Sequence, residues 1–137
     1  MKQFLLLAAV ICFGVVAIRL YTARMRSNFQ GEEGSDHAVL SPEEAKTRLE
    51  ENPAAILLDV RTQEEYDEGH IPGAVCLPNE EIYPEMPVAF DRDAEILVYC
   101  RSGRRSAEAA KKLADMGYGN VWDFGGILNW PYETTTD

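Results

Sequence analysis

The sequence is poor in cysteine and histidine, with three cysteines and two histidines in 137 residues. Cys12, Cys76 and Cys100 are odd in number and far apart, and no Cys-x-x-Cys pair is present, so the pattern does not indicate a disulfide framework. His37 and His70 are also far apart, with no further ligand types at metal-binding spacing. We therefore predict no metal site, and we expect His70 to be a turn residue rather than a catalyst.

Basic residues are scarce as well: 13 stand against 23 acidic residues, for a formal net charge of −10. Residues 1–30 hold four basic side chains and no acidic one, which leaves the rest of the chain with 9 basic and 23 acidic side chains. A domain this acidic repels phosphates, which excludes nucleic-acid binding by general electrostatic attraction. The exception is a local concentration of Arg101, Arg104 and Arg105.

An uncharged run at residues 4–18 is short for a membrane-spanning helix, which needs about 20 residues. Two interpretations of residues 1–26 remain open. They form a cleaved signal peptide, or they form an uncleaved membrane anchor whose following arginines would hold the next domain in the cytoplasm. In both cases we expect a protein that is membrane-anchored or exported to the cell envelope. The polar, glycine-containing residues 27–38 are predicted to be a linker.

Helix and strand signals alternate through the rest of the chain, which predicts an α/β domain over residues 39–133 with a mainly parallel sheet. Capping boxes begin helices at Ser41 and Thr62. A longer helix is predicted at residues 106–116, and a helix followed by a loop at residues 79–90. Apolar runs predict strands, in chain order, at residues 55–60, 74–77, 95–99 and 120–123.

Cys100 directly follows the predicted strand 95–99, and a basic loop joins it to the helix that comes next. The loop reads Arg101-Ser102-Gly103-Arg104-Arg105. A helix N-terminus and arginines both favour a thiolate, which is the nucleophilic form of cysteine. A glycine with positive φ lets consecutive N–H groups point at one anion. The sequence therefore predicts a nucleophile at the floor of an anion-binding loop. The alternative is a buried core cysteine beside arginines that only make the loop soluble.

Asp59 lies near the end of the predicted strand 55–60 and so at the same edge of the predicted sheet as Cys100. It could support the site by bonding to loop N–H groups or to an arginine, or it could cap the following turn. We expect Arg61 and Glu65 to pair with each other near the surface, and Cys76 to pack inside its strand.

Several motifs in a fixed order resemble the rhodanese family of single-domain sulfurtransferases, over about residues 38–132. The motifs are L-L-D-V-R at 57–61, G-H-I-P-G-A at 69–74, V-Y-C-R-S-G-R-R-S at 98–106, M-G-Y at 116–118 and G-G-I at 125–127 with Trp130. The resemblance implies a three-layer α/β fold with a catalytic Cys100. It also implies that Cys100 takes sulfane sulfur from a small anionic donor such as thiosulfate. The resulting persulfide would pass the sulfur to cyanide or a thiol, without any other cofactor.

The loop from Cys100 to Arg105 has the form Cys-x4-Arg. In phosphatases of the same fold, the corresponding loop resembles Cys-x5-Arg. The extra residue makes room for a tetrahedral phosphate. The shorter loop favours a sulfur atom carried on the cysteine, with Arg101 and Arg104 holding the donor's oxygens and Arg105 bracing the loop. Two alternatives remain: a sulfur carrier or binding module that does not turn over, and a cysteine phosphatase or arsenate reductase, which the loop length disfavours. We expect a monomer.

Overall fold

Five parallel strands form one sheet in the computed structural model, which describes residues 37–86 and 90–137. The strands are β1 (Ala38–Val39), β2 (Ile56–Asp59), β3 (Val75–Cys76), β4 (Ile96–Cys100) and β5 (Val121–Gly126). Their order across the sheet is β1-β5-β4-β2-β3, and every neighbouring pair is parallel. The central strand is therefore β4, which carries Cys100 at its carboxyl end.

Three helices accompany the sheet: α1 (Pro42–Glu51), α2 (Gln63–Glu68) and α3 (Arg104–Asp115). Both predicted capping boxes are confirmed. The hydroxyl of Ser41 accepts a hydrogen bond from an N–H group in the first turn of α1, and the hydroxyl of Thr62 does the same in α2. Short 3-10 turns follow β3 and β5, at Asn79–Glu81 and Ile127–Asn129.

The core lies on both faces of the sheet, as the continuous apolar strands predict. On one face α3 packs against β4 and β5 and contributes Ala109, Ala110 and Leu113, and the side chain of Cys100 belongs to this cluster. On the other face, Tyr99 packs with Phe124 and with Ala45 of α1. Adjacent residues of a strand point to opposite faces, so Cys100 and Tyr99 lie in different layers.

The ends of several elements differ from the prediction. Cys100 is the last residue of β4 rather than the first residue after it, and α3 begins at Arg104 rather than at 106. The reason is Gly103, whose left-handed conformation (φ +112°) turns the chain at once into the helix. Ala38, which the sequence places in the linker, begins the edge strand β1 beside β5.

Two other predictions fall wholly or partly outside the described residues. Residues 79–90 contain a 3-10 turn at their start instead of the predicted helix, and residues 87–89 lie outside the described residues. The predicted signal or anchor at 1–26 also lies outside them and stays a prediction. Within the part of the chain that the structure describes, no helix is long and apolar enough to cross a membrane.

Candidate active site

The sulfur of Cys100 lies in a tight turn between the central strand and α3. The backbone N–H of Gly103 donates a hydrogen bond to Sγ, with an N–S distance of 3.0 Å. The turn requires the positive φ of Gly103, which side-chain-bearing residues rarely adopt. Because β4 ends at Cys100 and α3 begins four residues later, the sulfur faces the amino end of the helix, where unpaired N–H groups and the helix dipole favour an anion.

Burial and hydrogen bonding act in opposite directions on the pKa of the Cys100 thiol. Burial is the largest single effect and raises this pKa, because it disfavours the charged form. Hydrogen bonds from the side chain of Ser106 and from the backbone at Ser106, Gly103 and Ser102 together outweigh burial. The net result is a pKa below the ordinary cysteine value. The geometry thus makes Cys100 the more easily ionised of the two cysteines that the structure describes.

Cys76 lies in β3, is half-buried and, like Cys100, is a free thiol. Burial raises the pKa of its thiol to about 11, and the nearby carboxylate of Asp59 adds to the effect. A thiol with so high a pKa is a poor nucleophile at neutral pH. Cys76 lies within its strand, as the sequence predicts for a packing residue.

The three arginines of the loop have different surroundings. Arg105 donates two hydrogen bonds to the carboxylate of Glu65, at 2.7 and 2.9 Å, and so ties the start of α3 to α2. Arg104 is 76% exposed and pairs with Glu108 one turn along its own helix. Arg101 is exposed and makes no ion pair within residues 37–86 and 90–137. Arg105 therefore has the bracing position, while Arg101 and Arg104 are exposed to solvent.

The loop after Cys100, residues 101–105, rests directly on the end of β5. Cys100 is in register with Gly126, and a Cβ atom added to Gly126 would overlap the carbonyl of Arg101 and lie 2.6 Å from the Cα of Ser102. The N–H of Leu128 donates to the same carbonyl of Arg101 at 3.3 Å. Gly126 is thus required by the close approach of two backbones. The sequence shows the glycine but not the reason for it.

Asp59 is not at the sulfur. It is in register with Tyr99, on the face of the sheet opposite to Cys100, and is fully buried. Its carboxylate binds the guanidinium of Arg61 at 2.7 Å and accepts the backbone N–H of the same residue at 3.0 Å. The sequence leaves open whether Asp59 binds loop N–H groups or an arginine, or caps the following turn. The structure shows a bond to an arginine and a cap on the turn. The arginine, however, is outside the loop at residues 101–105.

The predicted pair between Arg61 and Glu65 is wrong. Arg61 is buried and binds Asp59 and the carbonyl oxygen of Gly69, whereas Glu65 binds Arg105. The sequence separation of four residues suggests a pair along one helix, but Arg61 precedes the N-cap of α2 and its side chain turns inward.

Two further residues contact the loop in ways that the sequence does not indicate. Glu65 is the bracing partner just described, and its only local signal is its place in a capping box. Ser106 is fully buried, with its hydroxyl oxygen 3.5 Å from the sulfur of Cys100. It directly follows Arg105 on the first turn of α3, so its side chain lies beneath the loop.

His70 is in the turn after α2, as predicted, but it is buried there. Its ring stacks on Tyr66 and contacts two backbone carbonyl oxygens, those of Tyr66 at 2.9 Å and Asp137 at 3.0 Å. Its backbone pairs with Thr135 in an isolated antiparallel bridge. These contacts hold the end of the chain against the turn and are remote from the hydrogen bonds of the sulfur.

Residues 41–132 match the family model described as the rhodanese-like domain. The match covers most of the chain and includes β2, β4, α3 and the whole loop after Cys100. The chain belongs to the rhodanese family. The expected α/β fold with a central parallel sheet is thereby confirmed.

Individual relatives agree with this membership. The chain is 37% identical over 92 residues to a sulfurtransferase from Allochromatium vinosum, covering 66% of this chain and 85% of the relative. It is 37% identical over 71 residues to the thiosulfate sulfurtransferase PspE from Escherichia coli, covering 51% and 68%. A solved rhodanese with anions from E. coli shares 31% identity and a TM-score of 0.53, covering 61% of this chain and all of that one. The rhodanese domain and these relatives support sulfur-transfer chemistry of the rhodanese type.

We predict that Gly126→Ala disturbs the site more than the fold. The new methyl group must push the backbone of Arg101 away, which weakens the Gly103 N–H bond to the sulfur. The pKa of the Cys100 thiol should then rise toward the ordinary value of about 8.5, at a stability cost of about 1–3 kcal/mol. Ultraviolet absorbance of the thiolate against pH measures the first effect and thermal unfolding the second. Gly119→Ala is the control because its Cβ meets open space; an unchanged thiol pKa in Gly126→Ala would contradict the prediction.

A second prediction concerns acid and the brace between Glu65 and Arg105. The hydrogen bonds from Arg105 lower the pKa of Glu65 from 4.5 to about 2. The pair therefore stabilises the fold fully above about pH 4.5 and loses its contribution as the pH falls toward 2. Glu65→Gln should lower the free energy of unfolding by about 1 kcal/mol at neutral pH, and the difference from wild type should vanish in acid.

Denaturant unfolding at several pH values tests the brace. Glu64→Gln serves as the control, since Glu64 is exposed on the same helix and has no ion pair among the residues described. If the Glu65→Gln difference stays constant down to the acid limit, the ion pair does not stabilise the fold in the way stated.

Proposed function

We propose that this protein is a sulfurtransferase in which Cys100 accepts sulfane sulfur from a small anionic donor such as thiosulfate and delivers it to a thiophilic acceptor, a thiol or cyanide. The observation that carries the proposal is the Gly103 N–H bond to Sγ at the floor of the arginine-bearing loop. This bond favours the thiolate form of Cys100, and the arginines of the loop attract an anionic donor. The resemblance to a thiosulfate sulfurtransferase supports the choice of donor.

The acidic charge of the chain makes the loop selective. Arg101 has no carboxylate partner within the described part of the chain, and Arg104 is largely exposed, so both can meet the oxygens of a donor. Charge-assisted hydrogen bonds of this kind are short and strong. The excess of acidic side chains elsewhere repels large polyanions. A donor of the size and charge of thiosulfate fits these conditions.

The charging step is a displacement at sulfur. The Cys100 thiolate attacks the outer sulfur of thiosulfate, a new S–S bond forms, and the bond between the outer sulfur and the sulfonate group breaks. The electron pair of that bond leaves with sulfite, and the negative charge of the thiolate moves to the terminal sulfur of the Cys100 persulfide. Backbone N–H groups of the loop, which already point inward, stabilise that charge much as an oxyanion hole does.

The discharge step runs in the same way. An acceptor thiolate or cyanide attacks the terminal sulfur, and the S–S electron pair returns to Cys100 Sγ as a thiolate. The product is an acceptor persulfide or thiocyanate. Charge and electrons balance over the two steps without a metal or a redox cofactor, so the covalent persulfide is the only carrier that the cycle needs.

We predict that wild-type full-length protein incubated with thiosulfate gains the mass of one sulfur atom on the peptide containing Cys100, and that added cyanide converts this sulfur to thiocyanate. Cys100→Ser should abolish both the adduct and the product, whereas Cys76→Ser should retain both, because the Cys76 thiol stays protonated. Mass spectrometry and a thiocyanate assay give the two readouts.

The outcomes separate the proposal from its alternatives. An adduct without thiocyanate would identify a sulfur carrier that does not turn over. Neither adduct nor product, combined with hydrolysis of a phosphate monoester, would point to a phosphatase. Activity that survives in Cys100→Ser would refute the assignment of the nucleophile.

Arg101→Ala tests the binding of the donor. We expect KM for thiosulfate to rise about tenfold with little change in kcat, since one charge-assisted hydrogen bond is lost but solvent exposure limits its strength. The increase should shrink at high salt. Lys111→Ala removes one positive charge farther along α3 and is the matched control. A wild-type KM in Arg101→Ala would exclude contact between this side chain and the donor.

A further inference from the structure

The hydroxyl group of Ser106 has one proton and three neighbours that can accept it. Its oxygen lies 3.0 Å from the carbonyl oxygen of Gly103, 3.2 Å from that of Gly125 and 3.5 Å from the sulfur of Cys100. The side chain is fully buried, so water does not compete for these contacts. A single hydroxyl donates one hydrogen bond at a time. The position of this proton must therefore depend on whether the sulfur itself carries a proton.

Each state of the cysteine fits one arrangement. With a neutral thiol, the S–H group donates to the Ser106 oxygen, and the hydroxyl donates to one of the two carbonyls. With a thiolate, the sulfur can only accept, so the Ser106 hydroxyl turns toward it. The carbonyl of Gly103 is not left unpaired by this rotation, because it also accepts the N–H of Ala107 at 3.2 Å. The rotation costs little for that reason.

We propose that Ser106 is a catalytic residue that moves its hydroxyl hydrogen bond between the Gly103 and Gly125 carbonyls and the Cys100 sulfur, and so stabilises Sγ whenever Sγ carries the negative charge. This inference rests on the proposed function, since it concerns the same sulfur. It assigns the hydroxyl to a particular half of the cycle. In the persulfide, Sγ is the neutral inner atom and the charge is on the terminal sulfur, so the hydroxyl returns to a carbonyl.

The two half-reactions then depend on Ser106 in opposite ways. During discharge, the S–S electron pair moves onto Sγ, and the hydroxyl stabilises the thiolate that forms. During charging, the thiolate loses its negative charge to the new bond, and the hydrogen bond from Ser106 must be given up. A thiolate with a higher pKa is a better nucleophile and a poorer leaving group. Removal of the hydroxyl should therefore lower the rate of discharge. It should not lower the rate of charging once that rate is divided by the fraction of Cys100 present as thiolate.

The first measurement needs no sulfur donor. The thiolate absorbance of full-length wild type and Ser106→Ala is followed against pH, with Cys100→Ser subtracted to remove the other cysteines. We expect the pKa of the Cys100 thiol to rise by about one unit in Ser106→Ala, a tenfold change in the ratio of thiol to thiolate. Alanine favours the helix, so α3 should remain intact. This result stands even if the donor and acceptor of the protein are not those proposed.

The second measurement separates the half-reactions. Protein loaded with thiosulfate is discharged with cyanide, and charging is followed separately and divided by the measured thiolate fraction. For a one-unit rise in pKa, Ser106→Ala should discharge about threefold more slowly, if the leaving thiolate follows the same dependence as an attacking one, and it should charge at least as fast per thiolate. Ser106→Thr keeps the hydroxyl and should restore both values. Thr47→Ala removes a hydroxyl that donates to a helix carbonyl in α1, far from the sulfur, and should change neither.

The two measurements together test the role of Ser106. An unchanged thiol pKa in Ser106→Ala, or equal slowing of charging and discharge, would overturn the proposal and leave Ser106 as a packing residue. A raised thiol pKa with no sulfur adduct in wild type would instead refute the proposed function while supporting the contact with the thiolate.

Discussion

The hydrogen bond from the Gly103 N–H to the Cys100 sulfur is the interaction on which the rest of the site depends. It forms only when the chain reverses direction within three residues after β4, and this reversal needs the left-handed conformation of Gly103. The same reversal begins α3 beside the sulfur, which adds the positive end of the helix dipole. One local geometry therefore brings together an easily ionised sulfur, its hydrogen-bond donors and the arginine-bearing loop.

Contacts from two other elements hold this geometry in place. Glu65 of α2 binds Arg105 on one side of the loop, and the end of β5 supports the Arg101 carbonyl on the other, where Gly126 provides the space. Hydrogen-bond donors that are held in place in this way stabilise an anion without rearranging. The cost of this arrangement is sensitivity to small changes, because two backbones in contact leave no room for a methyl group.

The electrostatics of the loop are weaker than its three arginines suggest. Arg105 is neutralised by Glu65, and Arg104 is partly neutralised by Glu108. Arg101 is the loop arginine without a carboxylate partner among the described residues. Hydrogen bonds from neutral groups therefore provide most of the local stabilisation of the sulfur as an anion.

Local sequence patterns are enough to predict the features that depend on neighbouring residues: the capping boxes, the buried parallel strands, and a cysteine followed by a basic turn and a helix. Folding of the whole chain sets which side chains meet across the fold. It paired Glu65 with Arg105, forty residues away, rather than with Arg61 four residues away, and it placed Asp59 on the face of the sheet opposite to Cys100. The reason is that spacing along the chain predicts local hydrogen bonds, whereas burial on one face of a sheet and the close approach of two backbones depend on all the strands together.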